Sequence, residues 1–111
     1  MAHEGIGWSP EALDDVERIA EYIGKDSPTH AAGMVKRLFA AVEDLELFPR
    51  MGRAIPEVDD PAYRDLIVGQ YRLIYRLDGD QVLVIGVVHG ARLLTRAIGD
   101  RLPRNRRRKR E

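Results

Sequence analysis

Two Ser-Pro pairs, Ser9-Pro10 and Ser27-Pro28, constrain this chain most, because each opens a segment in which apolar residues recur every three or four positions. Serine accepts a hydrogen bond from an amide left orphaned at a helix start, and proline fits the first helical position. Glu11 adds an acid in the first turn, where the helix dipole favours it. Leu13, Val16, Ile19, Ala20 and Ile23 carry the first stripe, with Asp14, Asp15, Glu17, Arg18 and Glu21 between them, and Gly24 is the expected left-handed stop. Ala31, Met34, Val35, Leu38, Phe39, Val42 and Leu45 carry the second until Phe48-Pro49 ends it. That makes a helix of about 20 residues, near 30 Å long. The short connection folds the two helices into an antiparallel hairpin whose apolar stripes face one way and need a flat surface to cover.

Three strands supply that surface after a loop from Arg50 to Pro61, whose glycine, prolines and acids break any period. Tyr63 to Val68 and Tyr71 to Leu77 flank Gly69-Gln70, a glycine-first pair suited to a type II′ hairpin turn. Asp78-Gly79-Asp80 then turns the chain into Val82 to His89, an almost unbroken apolar run expected of a central strand. Ile6 to Ser9 is expected to add a short strand. The fold class is therefore α+β: an N-terminal strand and an antiparallel helical hairpin packed on a three-stranded antiparallel sheet.

Alternate strand residues share a face, so Tyr71, Leu73, Tyr75 and Leu77 are expected under the helices and Arg72, Ile74 and Arg76 on the opposite, open side. Strict alternation carried across both hairpins puts Tyr63, Asp65 and Ile67 on that open face, together with Leu83, Ile85, Val87 and His89. An uncovered face that is part apolar and part basic invites a partner.

At 111 residues and 44% hydrophobic, the chain closes one core, and residues 1–100 are expected to form one domain. Cysteine is absent, which excludes disulfides, a thiolate metal site and a cysteine nucleophile. Met1 to Gly7 shows no export-signal pattern, and no segment approaches the roughly 18 uninterrupted apolar residues of a membrane span. A cytoplasmic protein without membrane contact is the expectation. The zero net charge hides an asymmetry: residues 1–100 hold eleven Lys/Arg against seventeen Asp/Glu, a net of −6, and Arg101 to Glu111 holds seven against one, a net of +6. This tail, 101–111, has almost nothing apolar to bury and is expected to be disordered and able to contact nucleic acid through counterion release. No glycine-rich phosphate loop, metal-spaced ligand set or serine elbow is present, so no metal or other cofactor is implied. Asp14-Asp15-Glu17 and Glu43-Asp44-Glu46 are expected to be solvated helix faces.

Trp8-Ser9-Pro10-Glu11-Ala12-Leu13, Phe48-Pro49-Arg50-Met51-Gly52-Arg53, Gln70-Tyr71-Arg72-Leu73-Ile74-Tyr75-Arg76 and Val87-Val88-His89-Gly90-Ala91-Arg92 together resemble the RelE/ParE superfamily of type II toxin–antitoxin toxins. The resemblance spans roughly residues 6–96. It implies a cognate antitoxin as partner, and one of two activities. RelE-like toxins cut messenger RNA on the ribosome, which needs cations around a pentavalent phosphate and a group to move protons. ParE-like toxins inhibit DNA gyrase by binding, which needs a surface rather than a catalyst.

Arg72 and Arg92 match the positions of two phosphate-binding arginines of the RelE-like enzymes. Tyr63 and Asp65 stand where those enzymes place lysines, and Ile98 stands where a tyrosine is expected. The resemblance therefore leans toward the ParE-like branch, with Arg72, Ile74, Arg76, His89, Arg92, Leu93 and Arg96 as the expected partner-binding residues and gyrase as the target. The alternative is a ribosome-dependent endoribonuclease acting on messenger RNA through Arg72, His89 and Arg92. A third reading is a complex partner and co-repressor without toxicity.

Overall fold

The computed structural model describes residues 5–103, and both Ser-Pro signals act as helix starts in it. Helix α1 spans Pro10–Gly24 and α2 spans Pro28–Leu47. The Ser9 hydroxyl accepts from the Ala12 amide at 3.0 Å and the Ser27 hydroxyl from the His30 amide at 3.1 Å. Gly24 does not provide a left-handed stop, since positive φ occurs only at Gly69 and Gly79 among the described residues. Instead the Lys25 amide still reaches the Glu21 carbonyl, and the Asp26 and Ser27 amides both return to Ile23. Those bonds use the last carbonyls of α1 while the chain swings directly into α2.

The strands are β1 (Ile6–Trp8), β2 (Arg53–Ala54), β3 (Tyr63–Val68), β4 (Tyr71–Asp78) and β5 (Gln81–His89), in the order β1-β5-β4-β3-β2. The expected N-terminal strand pairs parallel with β5, and β3, β4 and β5 form the expected antiparallel meander. Strand β2 lies inside the segment expected to be a loop. It pairs antiparallel with β3 because the Pro49–Gly52 stretch is pinned first. The Tyr75 hydroxyl donates to the Pro49 carbonyl at 2.8 Å and accepts from the Gly52 amide at 3.0 Å. A Cβ on Gly52 would lie 2.6 Å from that hydroxyl and 2.7 Å from the Asp65 carbonyl, so only glycine lets the loop approach this closely. Gly69, at φ +60° with no positive φ at Gln70, makes the expected glycine-first turn between Val68 and Tyr71.

One irregularity changes which residues share a face. Ile74 pairs with Gly86 but Tyr75 pairs with Val84, so β5 carries one extra residue, Ile85. The alternation flips beyond this bulge. Leu73 faces Val87 and Tyr71 faces His89, which moves Val87 and His89 to the helix-hairpin side, against the strict-parity expectation. Leu83 and Ile85 stay on the far side, and Val88 joins them beside Ile74.

Each face of the sheet carries its own core. On one, Ala12, Val16, Leu38, Val42 and Leu45 of the hairpin pack on Leu73, Tyr75, Val82, Val84 and Val87. The opposite face, expected to be open, is sealed: Ile55 of the loop and Leu94 and Ile98 of a short helix α3 (Leu94–Ile98) close over Ile74, Ile85 and Val88. Burying an aliphatic side chain contributes about 1.5–3 kcal/mol, which favours folding the C-terminal segment back over leaving Ile74 and Val88 in water. No helix among the described residues is long and apolar enough to cross a membrane.

Candidate partner-binding site

Arg72 projects from β4 into the sealed side of the sheet, where two carboxylates take its guanidinium. Its Nε donates to Asp65 Oδ2 at 2.8 Å, and Nη1 and Nη2 donate to the two Glu57 oxygens at 2.9 and 3.0 Å. Arg53 holds the other oxygen of Asp65 at 2.9 Å. The hydrogen bonds from Arg72 hold Glu57 below the usual carboxylate range against the opposing effect of its partial burial, and the same contacts raise Arg72. Ile74, expected among the partner-binding residues, is fully buried. Neither residue is available to a partner as the molecule stands.

His89 lies across the sheet from this cluster, in a cleft of about 860 Å³ between the α1–α2 hairpin, the Gly69-Gln70 turn and the end of β5. Its ring meets Tyr71 edge-on at 5.3 Å. Nδ1 accepts from the Ala91 amide at 3.0 Å, which assigns the proton of the neutral ring to Nε2, 3.3 Å from the Gln70 side-chain oxygen. These contacts brace the chain as it leaves β5. Arg92 lines the same cleft and is exposed, and Leu93 and Arg96 are exposed just beyond it. Arg76 sits half-buried at the far end of the sheet beside β1. The seven expected residues thus fall into separate places, and Arg72 and His89 do not meet.

At the wall of the cleft the outer edge of β5 is completed by side chains. Strand β1 and the Ser9 amide pair with β5 only as far as Val84. Beyond it Asp15, buried on α1, accepts from the Val87 amide at 3.0 Å, and Arg101 donates to the Ile85 carbonyl at 3.1 Å. The two residues also pair with each other at 2.7 Å. An acid and a base therefore stand in for the missing neighbour strand, satisfying backbone groups that burial would otherwise leave unpaired. A Cβ on Gly86 would meet Arg101 Nη1 at 3.1 Å and Ile98 at 3.2 Å, so glycine leaves room for the pair. Arg101, expected at the start of the tail, is thus held in a single 3-10 turn, Gly99–Arg101. Residues 104–111 of the basic run lie outside the described residues.

Residues 6–94 match the family model described as the ParE toxin of the type II toxin–antitoxin system, parDE. The chain belongs to this family. It is a toxin of the RelE/ParE superfamily, 33% identical over 89 residues to Toxin RelE2 of Caulobacter vibrioides, a match covering 79% of this chain and 97% of that protein. Its fold resembles the chromosomal ParDE toxin–antitoxin system from P. aeruginosa, with a TM-score of 0.64 at 18% identity over 80% of this chain and 98% of that one. It also resembles the YoeB dimer from Staphylococcus aureus, with a TM-score of 0.56 at 16% identity over 77% and 94% of the two chains.

Three residues that hold these regions of this ParE-family toxin together escape sequence reasoning. Asp15 sits in a run of acids expected to be solvated, Glu57 in a loop without period, and Arg101 at the head of a run expected to be disordered. The available signal was spacing: Asp15 lies one residue before Val16, at the border of the apolar stripe of α1, and Leu94 and Ile98 are four apart, as on one helix face.

Proposed function

We propose that this toxin acts by binding DNA gyrase and stalling it, that a cognate antitoxin neutralises it, and that it does not cut messenger RNA. The observation that carries this reading is the state of Arg72. Stabilising a pentavalent phosphate needs cations aimed at the developing charge. Here Arg72 is closed between Asp65 and Glu57, and His89, the candidate proton carrier, sits on the other side of the sheet and holds a turn. A binding inhibitor needs only an accessible surface. Arg92, Leu93 and Arg96 supply one, with Leu93 67% exposed between two cations.

The test is a brief induction in bacteria with labelled thymidine and methionine uptake followed in parallel, and a supercoiling assay with purified gyrase. The expected result is that DNA synthesis stops first and supercoiling is inhibited. Protein synthesis stopping first, with cleaved messenger RNA, overturns the proposal in favour of the nuclease reading, and growth unaffected on both counts leaves the co-repressor reading.

A further inference from the structure

Strand β1 borders β5 only as far as Val84, and past that point the chain holds its C-terminal segment by other means. Helix α3 is five residues long, Leu93 at its start makes no side-chain capping bond, and its first turn carries no acid. A helix that short does not persist on its own, so its place on the sheet is set by what holds it. Leu94 and Ile98 press into the core over Ile74, Ile85 and Val88. Apolar contact is non-directional, and two such anchors leave the helix free to roll about the line joining them. Direction comes from a single residue beyond the helix. The Arg101 guanidinium reaches round the edge of β5, from the face that α3 covers to the face that α1 covers. There it donates to Asp15 Oδ2 at 2.7 Å and to the Ile85 carbonyl at 3.1 Å.

Asp15 is a firm attachment for that clasp. It is buried, and the Val87 amide holds its Oδ2 at 3.0 Å, so the strand fixes the carboxylate independently of Arg101. Of the other arginines lining the same cleft, Arg18 also pairs with Asp15 but lies three residues away on the same helix, so it ties no second element to α1. Arg37 and Arg92 are exposed. Of the four, Arg101 is the one that joins α1 to the C-terminal segment.

We propose that Asp15 is a positioning residue for the exposed surface of Arg92, Leu93 and Arg96. The Arg92 amide is tied to the end of β5 through the His89 carbonyl at 3.0 Å, whereas Leu93 and Arg96 move with α3. By fixing Arg101, Asp15 sets the angle at which α3 presents those two side chains beside Arg92. Leu94 and Ile98 keep α3 attached without the clasp, so what its loss removes is direction. The proposal rests on the gyrase reading above for its partner and on the clasp alone for the positioning.

The test uses the full toxin in a gyrase supercoiling assay, with amide exchange followed in the same preparations and every variant held well below its melting transition. Asp15→Asn, which keeps the shape but not the charge, and Arg101→Met, which keeps the stem, are each expected to raise the half-inhibiting concentration about tenfold or more. Both are expected to speed exchange of the Ala97 amide, which bonds the Leu93 carbonyl, by about the same factor. Arg101→Lys keeps the charge but cannot fork onto both acceptors, and is expected to recover inhibition to within about threefold of the wild type. Val42→Ala, in the hairpin core, lowers the melting temperature through lost packing, and is expected to leave both readouts within about twofold. If Asp15→Asn matches the wild type in inhibition and exchange, or if Val42→Ala loses as much as Asp15→Asn does, the positioning role is overturned. If the wild-type toxin does not inhibit gyrase, the gyrase reading falls and exchange at Ala97 alone decides the positioning role: faster in Asp15→Asn upholds it, unchanged overturns it.

Discussion

Arg72 and Arg92 were expected to serve one surface, yet Arg72 is buried between Asp65 and Glu57 whereas Arg92 stands exposed at the mouth of a cleft. A guanidinium taken out of water must be met by opposite charge, and once met it belongs to the structure. One left at a rim has almost no effect on stability and stays available to a partner. The sealed region is therefore expected to respond to substitution through stability, and the cleft through binding.

The strongest challenge to that contrast is Asp65→Ala, which leaves Arg72 buried with Glu57 alone. Breaking a buried pair this way costs about 3 kcal/mol, measured by denaturant unfolding. A loss under about 1 kcal/mol would show that Arg72 can swing out to solvent, and the sealed region would then not be sealed. Next is Arg101→Ala, which removes one partner of Asp15 and uncovers the Ile85 carbonyl. The expected cost is about 2 kcal/mol, accompanied by faster amide exchange at the outer edge of β5.

Glu57→Gln is a smaller change, because Glu57 is about a third exposed and solvent screens its pair with Arg72. The expected loss near neutral pH is less than about 1 kcal/mol. The pH dependence sharpens this. The folded state holds Glu57 below its ordinary value of 4.5, so its contribution is fully present above that value and is lost as pH falls through the depressed one. The variant should therefore close part of its stability gap with the wild type on acidification, as followed by melts across that range. At the bottom of the scale, Arg37→Ala and Arg92→Ala should each change unfolding stability by no more than about 0.5 kcal/mol. A larger loss from either would place the cleft arginines with the structural ones.

Much of the scaffold was legible from local signals. The Ser-Pro starts, the stripes of both helices and the glycine-first turn each depend on a few neighbouring residues, and each appears where the pattern puts it. The site was legible only as a set of residue types. His89 and Arg92 do line one cleft, but the grouping with Arg72 and Ile74 failed at a particular residue, Ile85, whose insertion as a bulge inverts the face of everything after it on β5. Alternation within a strand is local, but a bulge is a property of two paired strands, and the one local hint of it in β5 is Gly86, a glycine inside an otherwise apolar run.

Sequence by itself therefore determined the two long helices, the three meander strands, the N-terminal strand and the presence of arginines near the ends of two strands, because capping, periodicity and turn chemistry act over a few residues; β2 and α3 came only with the packing. Tertiary structure alone decided which arginines are held and which are exposed. Asp65 lies 7 positions from Arg72, Glu57 lies 15, and Asp15 lies 86 positions from Arg101, and only folding brings these charges within hydrogen-bonding distance. Whether a charge serves the fold or a partner depends on what shares its low-dielectric surroundings, and that is set by packing rather than by order along the chain.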